Sequence, residues 1–282
     1  MLEGMGYIAG DQADGLRRLF GVPDPQVLAF VAGGESCGRT TLLAQTSLAL
    51  AHAGQGVVAI DENSGPDNLF DALGLKPRGD LLDVVQNGRA PQQAMLPAAP
   101  LLTMVAASRL AECLQYVDVE AADRLDDGLR EIHRGSSFVL IDSAIGRGGY
   151  LSPLTLAARH IVVVLTAQGS SITQTYSFVK RLARESGRDE FQVVITRARN
   201  EHEAAAIFEN IRHTAHRHLG VRLEYLGASR VPVTDDLSGV LTRRWSSMLS
   251  EHRPGGFLQF RTHSLQGEAY TRQTEEFLET VV

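Results

Sequence analysis

The chain has 282 residues, of which 44% are hydrophobic and 21% charged, and its formal net charge is −6. This length suits one large α/β domain and is short for two. The acidic excess argues against broad nucleic-acid binding, so no direct nucleic-acid partner is expected. The sequence shows two cysteines, no secretory leader and no apolar run of about 20 residues that could span a membrane. We therefore expect a cytoplasmic protein.

The first 24 residues are separated from the rest of the chain by pattern. Asp11 predicts the N-cap of a short helix, and Pro23-Asp24-Pro25 breaks the chain before the first strand. The helix either straps onto the domain or detaches to dock on a partner, and a disordered tail is a further alternative. We predict three parts, with residues 1–24 as a tail, 25–250 as the main domain and 251–282 as a C-terminal segment.

The stretch after the first predicted strand has the spacing of a phosphate-binding loop. An apolar run over residues 27–31 predicts a buried strand, and a helical pattern follows residue 41. Between them, Gly33, Gly38 and Thr40 match G-x-x-x-x-G-K-[ST], with Arg39 in the place of lysine. Such a loop binds phosphate with its backbone N–H groups, and the Thr40 hydroxyl could reach Mg²⁺. Arg39 could pair with phosphate or obstruct the β/γ position, and an ordinary strand-to-helix turn is the alternative reading.

Downstream, short aliphatic strands alternate with helical stretches, which predicts a mostly parallel sheet covered by helices on both faces. Ligands in such folds bind outside the carboxyl ends of the strands. Gly33, Asp61, Asp142 and Thr196 all lie at that edge. The predicted strands cover residues 57–61, 101–107, 138–142, 161–165, 191–196 and 223–227, and the longer helices cover 118–133, 171–187 and 201–219.

Two of these strands end in an acid. Asp142 follows four apolar residues, the setting of a magnesium-organising aspartate, although an N-cap or a loop salt bridge would use it equally. Asp61 could orient water or hold the first turn of the next segment. Asn63 can hydrogen-bond water but cannot accept a proton as a carboxylate does.

These motifs and the order of the elements resemble the MinD/ParA class of deviant-Walker ATPases over about residues 27–230. Within that class, Asp11-Gln12-Ala13 followed by Leu16-Arg17 is similar to the N-terminal DQAxxLR motif of the FlhG (FleN) family, which regulates flagellar number and placement. The resemblance implies a three-layer P-loop NTPase fold and a switch that binds ATP or ADP with Mg²⁺, dimerises on ATP and associates weakly with the inner membrane or cell pole. It also implies that Asp11, Gln12, Leu16 and Arg17 contact an FlhF-like GTPase, and that a flagellar switch component or transcription regulator is a further partner.

The resemblance also assigns roles at the predicted strand edge. Asp61, Asn63 and Asp142 fall at catalytic positions, and Thr40 and Asp142 would hold Mg²⁺, partly through water. Thr196-Arg197 match a position that contacts adenine in the family, with a plain strand terminus as the alternative. The implied nucleotide-binding residues are Gly33, Gly34, Gly38, Arg39, Thr40, Thr41, Thr196 and Arg197.

Besides Arg39, the chain departs from the family pattern at two further functional positions. The family's loop reads GKGGVGKT, and Gly34 replaces its signature lysine, which reaches the phosphates of the partner subunit. The family's second loop carries two aspartates, and here the pair is Asp61 and Asn63. Loss of a carboxylate at a water-activating position typically lowers the rate by about 10²–10⁴. We therefore expect weakened or lost hydrolysis; the alternatives are a slow but genuine ATPase and a MinD-like factor for another polar or envelope machine, such as cellulose export.

Two C-terminal stretches are candidates for membrane contact. Residues 251–282 contain an amphipathic pattern, but its acids would be repelled by anionic lipids. Residues 237–249 combine large apolar side chains with Arg243 and Arg244, although this spacing is also typical of a helix face in a core.

Overall fold

The computed structural model describes residues 24–34, 36–113, 119–145, 150–167, 172–229 and 239–243. The N-terminal motif and residues 251–282 lie outside the described residues, so the roles expected for them stay predictions. Only residues 239–243 of the stretch 237–249 are described, and Leu241 among them is fully buried in the hydrophobic core. That burial agrees with the core alternative for this residue.

The middle layer of the described chain is an eight-stranded sheet in the order β3-β4-β2-β5-β1-β6-β7-β8. All neighbouring strands are parallel except β3, which runs antiparallel to β4 at one edge. This confirms the predicted mostly parallel α/β fold. The strands are β1 Gln26–Ala32, β2 Val57–Asp61, β3 Met95–Ala99, β4 Leu102–Ala106, β5 Phe138–Asp142, β6 His160–Thr166, β7 Glu190–Thr196 and β8 Arg222–Ser229.

Helices cover both faces of this sheet. Successive residues of β1 alternate between the two sides: Leu28 and Phe30 pack in one core with Leu42 of α1, whereas Ala29 packs in another with Leu125 of α5. A continuous apolar run is therefore what a central strand of this sheet needs. The helices are α1 Arg39–His52, α2 Leu69–Ala72, α3 Leu81–Asn87, α4 Ser108–Cys113, α5 Val119–Ile132, α6 Pro153–Ala157, α7 Ile172–Ser186 and α8 Glu201–Leu219, with a 3₁₀ turn over Pro91–Gln93.

Several predicted elements are present with small shifts at their ends, and others had not been predicted. The strand predicted over 101–107 is β4, the one over 223–227 is β8, and the three longer helices are α5, α7 and α8. Strand β3 and the short helices α3, α4 and α6 were not predicted from the sequence. Pro97 lies within β3, which is tolerated because this strand is at the sheet edge and half-exposed.

The parallel register brings the predicted site residues to one edge of the sheet. Asp142 lies opposite Asp61 on one side and opposite Phe30 on the other, while Thr196 is paired with Thr166. The carboxyl ends of β1, β2, β5 and β7 therefore meet beside the loop that follows β1. Among the described helices, none is both long and apolar enough to cross a bilayer.

Candidate functional site

Two glycines shape the loop between β1 and α1. The N–H of Gly33 donates to the carbonyl of Val164 at 2.9 Å, and a Cβ at this position would lie 2.2 Å from Cδ2 of Leu165. Gly38 adopts the left-handed conformation, with φ of 77° and ψ of 21°, directly before α1 begins. Its carbonyl accepts the first helical hydrogen bond, from the N–H of Leu42 at 2.9 Å. One glycine is therefore required by space and the other by backbone conformation.

Thr196 ties this loop to the end of β7. Its buried hydroxyl lies 2.7 Å from the carbonyl oxygen of Cys37 and 3.0 Å from that of Leu165, so its single proton is shared between two backbone acceptors. Arg197 follows with an exposed side chain and a positive φ of 57°. The described contacts of Thr196 are thus with the loop backbone and with β6.

The side chain of Arg39 lies across the ends of β2 and β5 and is only 12% exposed. Its Nε forms an ion pair with Oδ1 of Asp142, and its Nη1 donates to the carbonyl oxygen of Ser143. Its Nη2 donates to Oδ1 of Asn63 at 2.9 Å. One guanidinium thereby joins the start of α1 to the end of β5 and to the loop after β2.

Asp142 is fully buried, and both of its carboxylate oxygens are engaged by the chain itself. Oδ1 faces Arg39, and Oδ2 accepts a hydrogen bond from the hydroxyl of Thr40 at 2.8 Å. Burial raises the pKa of Asp142 to about 6, while the Arg39 guanidinium opposes that rise. The carboxyl is therefore mostly ionised at neutral pH, and Arg39 is its counter-charge.

Asp61 holds the first turn of α2, which is one of the two roles considered for it. Its Oδ2 accepts from the N–H groups of Leu69 at 2.8 Å and Phe70 at 3.3 Å. Its Oδ1 accepts from both the backbone N–H and the side-chain amide of Asn63, at 3.0 and 3.2 Å. The amide of Asn63 also donates to the carbonyl of Asp142 at 3.1 Å. Burial raises the pKa of Asp61, and the hydrogen bonds from Asn63 act against that rise.

Glu62 is a buried member of the site that sequence reasoning missed. Its carboxylate accepts from the hydroxyl of Ser152 and from the N–H of Ala144 at 3.2 Å. The hydroxyl of Thr155 lies 3.0 Å from the same carboxylate and 2.7 Å from Oγ of Ser143. Burial raises the pKa of Glu62 to about 7. The side chain links the loop after β2 to the start of α6, and its only sequence signal was an acid next to Asp61.

A magnesium ion requires near-octahedral oxygen coordination at about 2.0–2.1 Å, and the expected protein ligands are Thr40 and Asp142. Here the hydroxyl of Thr40 donates a hydrogen bond to Asp142, and the other carboxylate oxygen of Asp142 faces the guanidinium of Arg39. The positive charge beside Asp142 is therefore the guanidinium of Arg39. The residues as they lie do not fit a magnesium-bound nucleotide, which would require the guanidinium of Arg39 to move away.

The chain is similar to known regulators of flagella and of cell division, although no family model matches it. It is 26% identical to the antiactivator FleN of Pseudomonas aeruginosa over 202 residues, 72% of each chain, and 22% identical to the flagellum site-determining protein YlxH of Helicobacter pylori over 231 residues, 77% of each chain. The septum site-determining protein MinD complexed with Mg-ADP from Pyrococcus horikoshii superposes with a TM-score of 0.55 at 15% identity, covering 81% of this chain and all of that one. That structure shows the shared fold. The resemblance inferred from the motifs is confirmed: the chain is similar in sequence to FleN and YlxH, and it shares the fold of MinD.

Proposed function

We propose that this chain regulates flagellar number or placement in the manner of FlhG/FleN proteins, with a weakened or lost ATP-hydrolysis step. The similarity to FleN and YlxH carries the flagellar part of the proposal. The contacts of Arg39 and Asn63 support the second part, because both side chains are engaged with each other rather than available to phosphate or water.

The proposed partner is an FlhF-like GTPase that binds the N-terminal motif. Asp11, Gln12, Leu16 and Arg17 combine charged, polar and apolar side chains within two helical turns, as a short docking helix requires. A flagellar switch component or a flagellar transcription regulator would receive the downstream signal. If the chain still binds nucleotide, the proposal also includes nucleotide-dependent dimerisation and weak association with the membrane or cell pole.

A slow ATPase is the second candidate function, and the geometry of the phosphate loop supports it. Gly33 and Gly38 provide the close approach and the left-handed turn that such a loop uses, and Thr40 begins the following helix. The MinD relative of known structure binds Mg-ADP. In this reading Arg39 swings out to the phosphates, and Gly34, Thr41, Thr196 and Arg197 complete the nucleotide contacts.

The test measures GTP hydrolysis by the FlhF-like GTPase of the same organism, with and without the full chain. We expect stimulation by the wild-type chain and its loss in Gln12→Ala and Arg17→Ala. Arg89→Ala is the matched control, because Arg89 is exposed near the end of α3 and is not part of the N-terminal motif. Absence of stimulation by the wild-type chain, or an equal loss in the control, would contradict the flagellar proposal. ATP turnover by the chain alone that disappears in Arg39→Ala would favour the second candidate.

A further inference from the structure

We infer that the Arg39 guanidinium takes over the structural place of a metal-bound nucleotide, holding the phosphate loop against the ends of β2 and β5 so that the chain keeps one loop arrangement without a ligand. This goes beyond the proposed function, because it concerns what stabilises the site and is independent of any flagellar partner.

The shape of the contact suits a guanidinium. The three acceptors of Arg39 are the carboxylate of Asp142, the carbonyl of Ser143 and the amide oxygen of Asn63, which lie at the end of β5 and in the loop after β2. A planar guanidinium presents its donors as a rigid fork and can satisfy all three at once. A lysine ammonium is a single point charge and cannot span them.

Two departures from the family pattern contact each other. Arg39 stands in place of the lysine and Asn63 in place of the second aspartate, and their side chains are joined at 2.9 Å. The amide of Asn63 also donates to Oδ1 of Asp61 and to the carbonyl of Asp142. A carboxylate at position 63 could accept from Arg39 but could not donate, and it would add a third negative charge beside Asp61 and Asp142. The two substitutions therefore form one compatible pair.

The loop is also fixed on its opposite flank. Thr196 of β7 bonds to the carbonyl of Cys37, and Gly33 bonds to the carbonyl of Val164 in β6. Strands β6 and β7 lie on one side of β1 in the sheet, and β5 and β2 lie on the other. The loop is thus held from both sides by groups of the chain.

The buried charge of Asp142 also holds Arg39 in place. Asp142 is fully buried, and removing one partner of a buried ion pair leaves an uncompensated charge, which is strongly unfavourable. Entry of a magnesium-bound nucleotide has to break the contact between Arg39 and Asp142 before any new contact forms. The affinity of the chain for the magnesium-bound nucleotide is therefore reduced by the free energy of that contact.

The experiment compares variants with wild type by two measurements on the full chain. Amide hydrogen exchange is measured without ligand, and binding of Mg-ADP is measured by calorimetric titration. Arg39→Met should speed exchange over residues 33–41 and 61–64 by about tenfold or more and lower the melting temperature by about 5–15 °C. Asn63→Asp should speed exchange over the same residues. Arg39→Lys should bind Mg-ADP at least about tenfold more tightly than wild type. Arg212→Met, which breaks the exposed pair of Arg212 with Glu209 on α8, is the matched control and should change none of these.

Two results would overturn the inference. One is unchanged exchange of the loop in both Arg39→Met and Asn63→Asp. The other is Mg-ADP binding by wild type at micromolar Kd with no gain in Arg39→Lys. If Arg39→Met does not fold, unchanged exchange of the loop in Asn63→Asp alone overturns the inference, and Arg39→Lys is still decided by its Mg-ADP binding. Failure to stimulate a GTPase would leave these results untouched, so the two proposals fail separately.

Discussion

The buried carboxyl of Glu62 predicts a pH-dependent stability that Glu62→Gln removes. The side chain is 1% exposed, and its hydrogen bonds with Ser152, Thr155 and Ala144 only partly offset the cost of burying the charge. Burial consequently raises its pKa from 4.5 to about 7. The unfolded chain exposes the same carboxyl to water, where its pKa returns to the ordinary value.

The sign of the effect follows from which state holds the proton. Between about pH 4.5 and pH 7, the folded chain keeps a proton on Glu62 that the unfolded chain releases. The free energy of unfolding therefore falls as the pH rises through this window and levels off above it. At about 1.4 kcal/mol per pKa unit, the contribution of this one group is about 3 kcal/mol.

Urea unfolding of wild type and Glu62→Gln from about pH 4.5 to about pH 8 measures this contribution. The difference between the two free energies cancels the other titrating groups, including Asp61 and Asp142. We expect wild type to lose about 3 kcal/mol relative to the variant as the pH rises. Glu112→Gln, at an exposed position of α4, controls for the loss of one carboxylate.

A constant difference between Glu62→Gln and wild type across the pH range would show that burial does not raise the pKa of Glu62. A difference that changes in the opposite direction would show that the three hydrogen bonds outweigh desolvation. Either result would refute the assignment of Glu62 as a carboxyl that is poised near neutral pH.

Two further predictions concern the phosphate loop. Gly33→Ala should lower the free energy of unfolding by about 1–3 kcal/mol, because its Cβ would lie 2.2 Å from Leu165, whereas Gly65→Ala, in open space, should be nearly neutral in the same urea titration. Equal stability of the two variants would exclude that close approach. Thr196→Val should lower the free energy of unfolding by about 1–3 kcal/mol, because it removes the hydrogen bond to the carbonyl of Cys37. Thr196→Ser keeps the hydroxyl and should retain most of the wild-type stability. Equal unfolding midpoints for the valine and serine variants would argue against this hydrogen bond.

The parts of the fold that the sequence predicted are those in which one local pattern has one structural meaning. Continuous aliphatic runs such as those of β1 and β5 occur because both faces of a central parallel strand are buried. The position of Asp61 and Asp142 at one edge then follows from strand direction alone. The predicted bounds of α8 match the structure, in which Asn200 caps its start and Gly220 ends it.

The parts that escaped prediction depend on contacts that are distant in the sequence. Glu62 turns inward to meet Ser152, which lies 90 positions further along the chain, and no local pattern encodes that meeting. The orientation of Arg39 was left open between phosphate and obstruction, since its acceptors on Ser143 and Asp142 come from the end of a strand more than 100 residues away. Strand β3 was missed because Pro97 and its half-exposed residues weaken both the propensity and the alternation.

The three carboxylates at the strand edge are each compensated by the chain itself, and in three different ways. Asp61 accepts from backbone N–H groups at the start of α2, Asp142 has the guanidinium of Arg39, and Glu62 has hydroxyl donors and a pKa near 7. A buried cluster of acids without such compensation would need a bound cation to be stable. Among the residues that the structure describes at this edge, the carboxylates are balanced without a metal or nucleotide, and Arg39 supplies the full positive charge. Replacing Arg39 should therefore make the stability of this edge depend on a bound cation, because the guanidinium now supplies that positive charge.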